Sequence, residues 1–156
     1  MPAKEPVERK KLVHSIVVST FVHATEEEDR VLAALRVIVP REVPIDQQRA
    51  SGHFGNPVII LRARMEQAQA VRRTLDMINE KLLRSDSEHL KANASRYLDD
   101  KGNLFVRFDK QEAARGALRL GREDPILVKL KLAAYPARRE TALELARRLW
   151  NDVSLR

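Results

Sequence analysis

Cysteine is absent from this chain, which excludes disulfides, thiolate metal sites and cysteine nucleophiles together. Aromatic residues are scarce at 4%, too few for a binding surface built mainly from stacked rings. The four histidines, His14, His23, His53 and His89, are scattered without metal-ligand spacing. No apolar run reaches the roughly 18 residues of a membrane-crossing helix, so no membrane span is expected. Residues 1–11 are polar and charged and lack the apolar segment of a signal peptide. They read as a loose N-terminal tail on a cytoplasmic protein. Gly-Lys-Ser/Thr is missing, which excludes a P-loop. The spacing shows no converging carboxylates of the kind a two-metal nuclease needs. The expectation is a non-enzyme without metal or cofactor.

What is present is a chain of 156 residues, 44% hydrophobic and 33% charged, the composition of one folded domain over residues 12–156. Its formal net charge is +7, unevenly distributed. Residues 1–57 carry 8 Lys+Arg against 8 Asp+Glu, and residues 58–100 carry 8 against 7. Residues 101–156 carry 13 against 7, so six of the seven net charges lie in the last third. Clustered basic charge is the electrostatic footprint of a polyanion partner, most often a nucleic acid. A soluble, Arg-rich surface has the same composition.

Leu12–His23 is rich in β-branched residues and predicts a strand. Thr25 with Glu28 three residues on predicts a capping box opening a helix that Pro40 ends. Arg41–Pro57, with Pro44, Gly52, Gly55 and Pro57, reads as a loop. Val58–Arg64 predicts a strand. Glu66–Leu83 predicts a helix with Ala68, Val71, Leu75, Ile78 and Leu82 inward. A further helix is expected over Ser87–Leu98, a strand over Leu104–Phe108, and a short helix at Lys110–Arg115 capped by Asp109 and stopped by Gly116. Ala117–Leu120 reads as a short strand. Ile126–Ala134 alternates clearly, with Lys129 and Lys131 opposite its apolar residues, and Ala137–Trp150 predicts a last helix. The pattern implies an α+β fold, a two-layer sandwich with helices on one face of a mostly antiparallel sheet.

Strand alternation gives Arg62 the parity of Arg64, gives Lys129 that of Lys131, and turns Arg107 away from the core. If these strands share a sheet, its open face carries five cations able to contact phosphates without reading sequence. The same residues would equally keep an exposed sheet soluble and protect its edges. In the loop Gly52-His53-Phe54-Gly55-Asn56-Pro57, His53 and Asn56 are candidate ligand contacts. Alternatively the loop is a tight connection with an Asx-type turn at Asn56. Phe105, Tyr135 and Phe54 are candidate stacking rings, though a single aromatic more often packs.

The stretches STFVHATEEEDRVLAAL (Ser19–Leu35), GHFGNPVIIL (Gly52–Leu61), LFVRFDKQEAARG (Leu104–Gly116) and DPILVKLKLAAYPARRE (Asp124–Glu140) occur in that order along the chain. Together they resemble an archaeal family of predicted exosome subunits or RNA-binding proteins, over about Val13 to Leu149. The resemblance implies a two-layer fold akin to a ribosomal protein that contacts 5S ribosomal RNA, and a role around RNA processing or the exosome. It carries no catalytic motif. It draws attention to His23, His53, Asn56, Arg107, Lys110 and Gln111 as a polar patch.

The expected function is non-catalytic RNA binding through Arg62, Arg64, Arg107, Lys110, Lys129 and Lys131, with His53 and Asn56 beside them. Whether the RNA is single- or double-stranded is left open by the sequence. The alternative is a protein-interaction module whose sheet face or edge docks on an exosome component or on a second copy of itself as a homodimer.

Overall fold

The structure, a computed structural model, describes residues 11–135 and 137–150, with His53 described by its backbone alone. The tail expected over 1–11 lies, apart from Lys11, outside these residues. Five strands form one sheet: β1 (Val13–His23), β2 (Asp46–Ser51), β3 (Pro57–Met65), β4 (Asn103–Phe108) and β5 (Ile126–Leu132). Their order is β2-β3-β1-β5-β4, and every neighbouring pair is antiparallel. The described helices are α1 (Glu28–Arg36), α2 (Ala68–Lys81), α3 (Arg84–Ala92), α4 (Ala94–Tyr97), α5 (Lys110–Ala114) and α6 (Arg139–Arg148). The fold is the expected α+β arrangement, an open antiparallel sheet with a helical layer.

One face of the sheet is dry. Ile16, Val18, Thr20 and Val22 of β1 are buried, as are Leu61, Ala63 and Met65 of β3 and Ile126, Val128, Leu130 and Leu132 of β5. Leu104, Val106 and Phe108 extend that layer on β4. The register shifts between Val13 and Ser15, a bulge that reverses the inward phase, so Val13 is buried on one side of it and Ile16 on the other. Against this face pack Val31, Ala34 and Leu35 of α1, Val71 and Ile78 of α2, and Ala142, Leu145 and Ala146 of α6. Leu149 and Trp150, just beyond α6, are also buried. Fully burying such a large apolar side chain contributes roughly 1.5–3 kcal/mol, so this layer dominates stability.

Several expectations are corrected. Residues 46–51 form a strand, not loop, because the outer edge of β3 offers hydrogen bonds that a polar hairpin partner can take. Thr25 does not cap α1; Glu27 occupies that position without a side-chain bond. A turn, Glu26 N–H to His23 O at 2.9 Å, delays the helix, and the Glu26 carboxylate is used elsewhere. The inner stripe of α2 takes in Thr74 and Asn79, while Ala68 is exposed and Leu75 half-buried. The Thr74 hydroxyl donates to Ala70 O at 2.9 Å, and Asn79 Nδ2 donates to Leu149 O at 3.0 Å, so both polar groups are satisfied inside. The helix expected over 87–98 starts earlier and divides at Asn93 into α3 and α4. The strand expected at 117–120 is reduced to isolated bridges, Leu118 to Leu82 and Leu120 to Phe108. Asp109 caps α5 as expected, accepting from Glu112 N–H at 2.9 Å.

Candidate nucleic-acid interface

The face of the sheet opposite the helices carries the cations that strand parity singled out. Directly opposed residues of antiparallel strands share a face, so the register assigns its occupants. Arg62 on β3 stands opposite Ser19 on β1, Ser19 opposite Leu127 on β5, and Leu127 opposite Arg107 on β4. The next row runs Arg64, Val17, Lys129, Phe105. Lys131 lies in the row beyond, between Ser15 and Asn103. Arg62, Arg64, Arg107, Lys129 and Lys131 therefore project from one face, and all five are exposed. Adjacent strands lie about 4.8 Å apart, so Arg64 and Lys129, two strands apart, stand about 10 Å from each other across Val17. Of the five, Arg64 alone is ion-paired among the described residues, with Glu66 at 3.6 Å. Acids border the face as well: Asp46 opposes Arg62 across the β2–β3 pair, and Asp99 lines the depression beside Phe105 and Arg107.

Lys110 is not on this face. It is 3% exposed, and its ammonium donates to Phe21 O at 2.8 Å and Glu26 Oε1 at 2.9 Å, with Asp124 Oδ2 at 2.8 Å. Its charge is neutralised in place, and its role is to tie α5 to the end of β1 and to the turn before β5. Asp124 also meets His23 Nε2 at 2.9 Å. Burial raises the Asp124 pKa, while hydrogen bonds from Lys110 and His23 lower it; the partners prevail, and the carboxyl sits below its ordinary value. The ligand atoms of His23, Glu26 and Asp124 fall within 4.8 Å of one another, a spacing that a metal ion would accept. The Lys110 ammonium already supplies the cation there.

The His53–Asn56 loop is the tip of the β2–β3 hairpin. It is a short 3₁₀ turn over His53–Gly55, with Phe54 and Gly55 at positive φ, closed by Gly52 N–H donating to Asn56 O. The backbone carbonyl of Asn56 makes that bond, in place of the expected side-chain turn. Asn56 is exposed. It lies six residues along β3 from Arg62, about 20 Å at strand rise, so the loop stands beyond the cations and not among them. The side chain of His53 lies outside the described residues. Gln111 is exposed on α5.

Sequence reasoning overlooked the surroundings of Phe105. Lys129 Nζ lies 6.0 Å from its ring centre. Beside it Arg96, Tyr97, Leu98, Asp99 and Arg107 line a shallow depression of about 220 Å³. The bridge of Leu98 to Leu104 follows from the turn that Asp99-Asp100-Lys101-Gly102-Asn103 signals, whereas no local signal announces the pairing of β4 with β5. Phe21, 47% exposed, shares the open face through its pairing with Ile60.

A family model described as RNA binding matches residues 15–132. The chain belongs to that family. It is 33% identical over 144 residues to the RNA-binding protein PAB1135 of Pyrococcus abyssi, a match covering 88% of this chain and 94% of the relative. Among solved structures it is similar to the DUF54 protein AF2318 from Archaeglobus fulgidus, with a TM-score of 0.80 at 33% identity over 88% of this chain and 99% of that one. It is also similar to Mth689, a DUF54 protein from Methanothermobacter thermautotrophicus, with a TM-score of 0.76 at 34% identity over 90% of this chain and 100% of that one. Among the described residues no helix is long and apolar enough to cross a membrane.

Proposed function

We propose that this protein binds RNA, without catalysing a reaction, through phosphate contacts on the open face of its sheet. The observation that carries this is the register, which aligns Arg62, Arg64, Arg107, Lys129 and Lys131 on one uncovered face, four of them without an ion-pair partner among the described residues. Guanidinium and ammonium groups so displayed match a phosphate backbone and read no base edge. The RNA-binding family and the name of the Pyrococcus relative support the same reading. The resemblance to predicted exosome subunits, and to a ribosomal protein that contacts RNA, supports a narrower role in RNA processing beside the exosome. Lys110 is left out of the phosphate-binding group because its ammonium is enclosed.

The test is a titration of labelled RNA at several salt concentrations. Every cation withdrawn from a phosphate makes the salt slope on single-stranded RNA shallower by about 0.7. The Arg107→Ala, Lys129→Ala, Lys131→Ala triple variant should therefore bind more weakly with a slope shallower by about 2, at unchanged melting temperature. Unchanged affinity in the folded triple variant would sink the assignment.

One observation favours a second reading. β2 offers an outer edge of six residues, all exposed or half-buried, to which a strand of an exosome component or of a second copy could add. Co-purification of a partner that survives nuclease treatment, with no RNA bound at low salt, would favour that interaction module.

A further inference from the structure

We propose that the β4 edge of the open face holds one unpaired nucleotide, so that the RNA is single-stranded where it crosses that edge. This rests on the phosphate-binding reading above and names the kind of RNA it takes. Phe105 is a half-buried ring on the open face of an edge strand, with cations on either side of it. Lys129 reaches to 6.0 Å of its centre from β5, and Arg107 follows two residues along β4 on the same face. Lys129 already gives the ring a cation–π contact, and a base stacked on the ring would bring its phosphates to the same cations. Stacking is available only to an unpaired base, because a duplex keeps its π-faces against one another.

The depression beside the ring is built firmly enough to receive a base. The Tyr97 hydroxyl meets His89 Nε2 of α3 at 2.9 Å, and its ring meets the imidazole edge-on, which fixes that wall. Arg139 holds α4 by donating to Ser95 O at 3.0 Å and Leu98 O at 3.5 Å. Asp99 accepts Lys101 N–H at 2.9 Å and Asn103 N–H at 2.8 Å on one oxygen, and Asn103 Nδ2 at 3.1 Å on the other. Asn103 is 7% exposed, and its Oδ1 has no partner. By contrast, the guanidiniums of Arg96 and Arg107 have no ion-pair partner among the described residues, and both residues line the depression. The depression is open and shallow, about 220 Å³, with the Phe105 ring in its lining. Phe105 stacks the base, Arg96 and Arg107 take the flanking phosphates, and Lys129 swings from above the ring to the backbone.

The experiment compares full-length wild type, Phe105→Leu and Phe105→Tyr on a short single-stranded RNA and on a blunt, fully paired duplex. Phe105→Leu should weaken single-strand binding about tenfold, leave duplex binding unchanged, and keep the single-strand salt slope. Phe105→Tyr, which keeps the ring, should bind single strands as wild type does, and circular dichroism should report all three folded. Single-strand binding unaffected by Phe105→Leu overturns the pocket while leaving the phosphate contacts standing. An equal loss on both RNAs also overturns it, since the ring then acts through packing. Wild type that binds neither RNA at low salt overturns the RNA reading itself.

Discussion

Replacing Lys110 with Met keeps most of the apolar stem and removes the ammonium, which separates a structural lysine from an RNA contact. In the native protein this group satisfies Phe21 O and pairs with Glu26 and Asp124 while only 3% exposed. Removing one partner of a fully buried ion pair costs about 3–5 kcal/mol, because the other charge is stranded. Here the stranded carboxylates are not fully enclosed: the Glu26 side chain is 18% exposed and that of Asp124 38%. Water recovers part of the loss, so about 2–3 kcal/mol is expected at pH 7. For a chain of this size that lowers the melting temperature by about 4–12 °C. The pH dependence has a definite sign. The Asp124 pKa is depressed below its ordinary 3.8. The stability it contributes is therefore complete above that value and is lost as pH falls through the depressed one. In Lys110→Met the Asp124 carboxylate loses its nearest cation and protonates more readily, so the gap from wild type should narrow as pH falls from about 7 to about 3. Thermal or urea unfolding followed by far-UV circular dichroism at about pH 7, 5, 4 and 3 measures it, with an RNA titration at pH 7 alongside. RNA affinity and salt slope should not change. A variant as stable as wild type at pH 7, or a gap that does not narrow in acid, would refute the structural role. Loss of RNA binding from a fully folded variant would return Lys110 to the contact surface.

Two further substitutions probe a tight turn and the packing between helices. At Gly121, a Cβ would lie 2.8 Å from Asp109 Cα and 2.9 Å from Asp109 N, too close for either backbone to stay put; Gly121→Ala should cost about 1–3 kcal/mol in urea unfolding, and a neutral result would mean that the turn yields freely. Asn79→Ala removes the donor to Leu149 O inside the interface of α2 with the end of α6; a loss of about 1–3 kcal/mol is expected, and no change in the unfolding midpoint would show that water replaces the amide.

The sequence by itself determined the elements whose signals are local. The alternation of Ile126–Leu132 determined that Lys129 and Lys131 share a side, and burial follows that alternation residue by residue. Asp109 announced its cap because the capping bond spans only three residues. The helical periodicity of α1 and α6 told where the apolar layer lies, because a side chain's phase on a helix depends only on its own neighbours; in α2 it found Val71 and Ile78 but missed Thr74 and Asn79. Tertiary structure decided everything that joins distant segments. Strand order put β1 between β3 and β5, which brings Arg62 and Arg64 within two strands of Lys129 and Lys131. β2 is a strand only because β3 has a free edge: DQQRAS carries no alternation of its own. Lys110 looked like one more surface cation, and only the fold, which brings Phe21, Glu26 and Asp124 around it from across the chain, made it buried. The same convergence spoiled the capping box at Thr25, since Glu26 answers to Lys110 and to His23 N–H instead of leaving a free first turn. The cation over Phe105 likewise comes from β5, which only the pairing of β4 with β5 brings beside the ring. Which side a residue faces is set by the backbone next to it, whereas which residues meet there is set by the pairing of strands that the chain itself holds far apart.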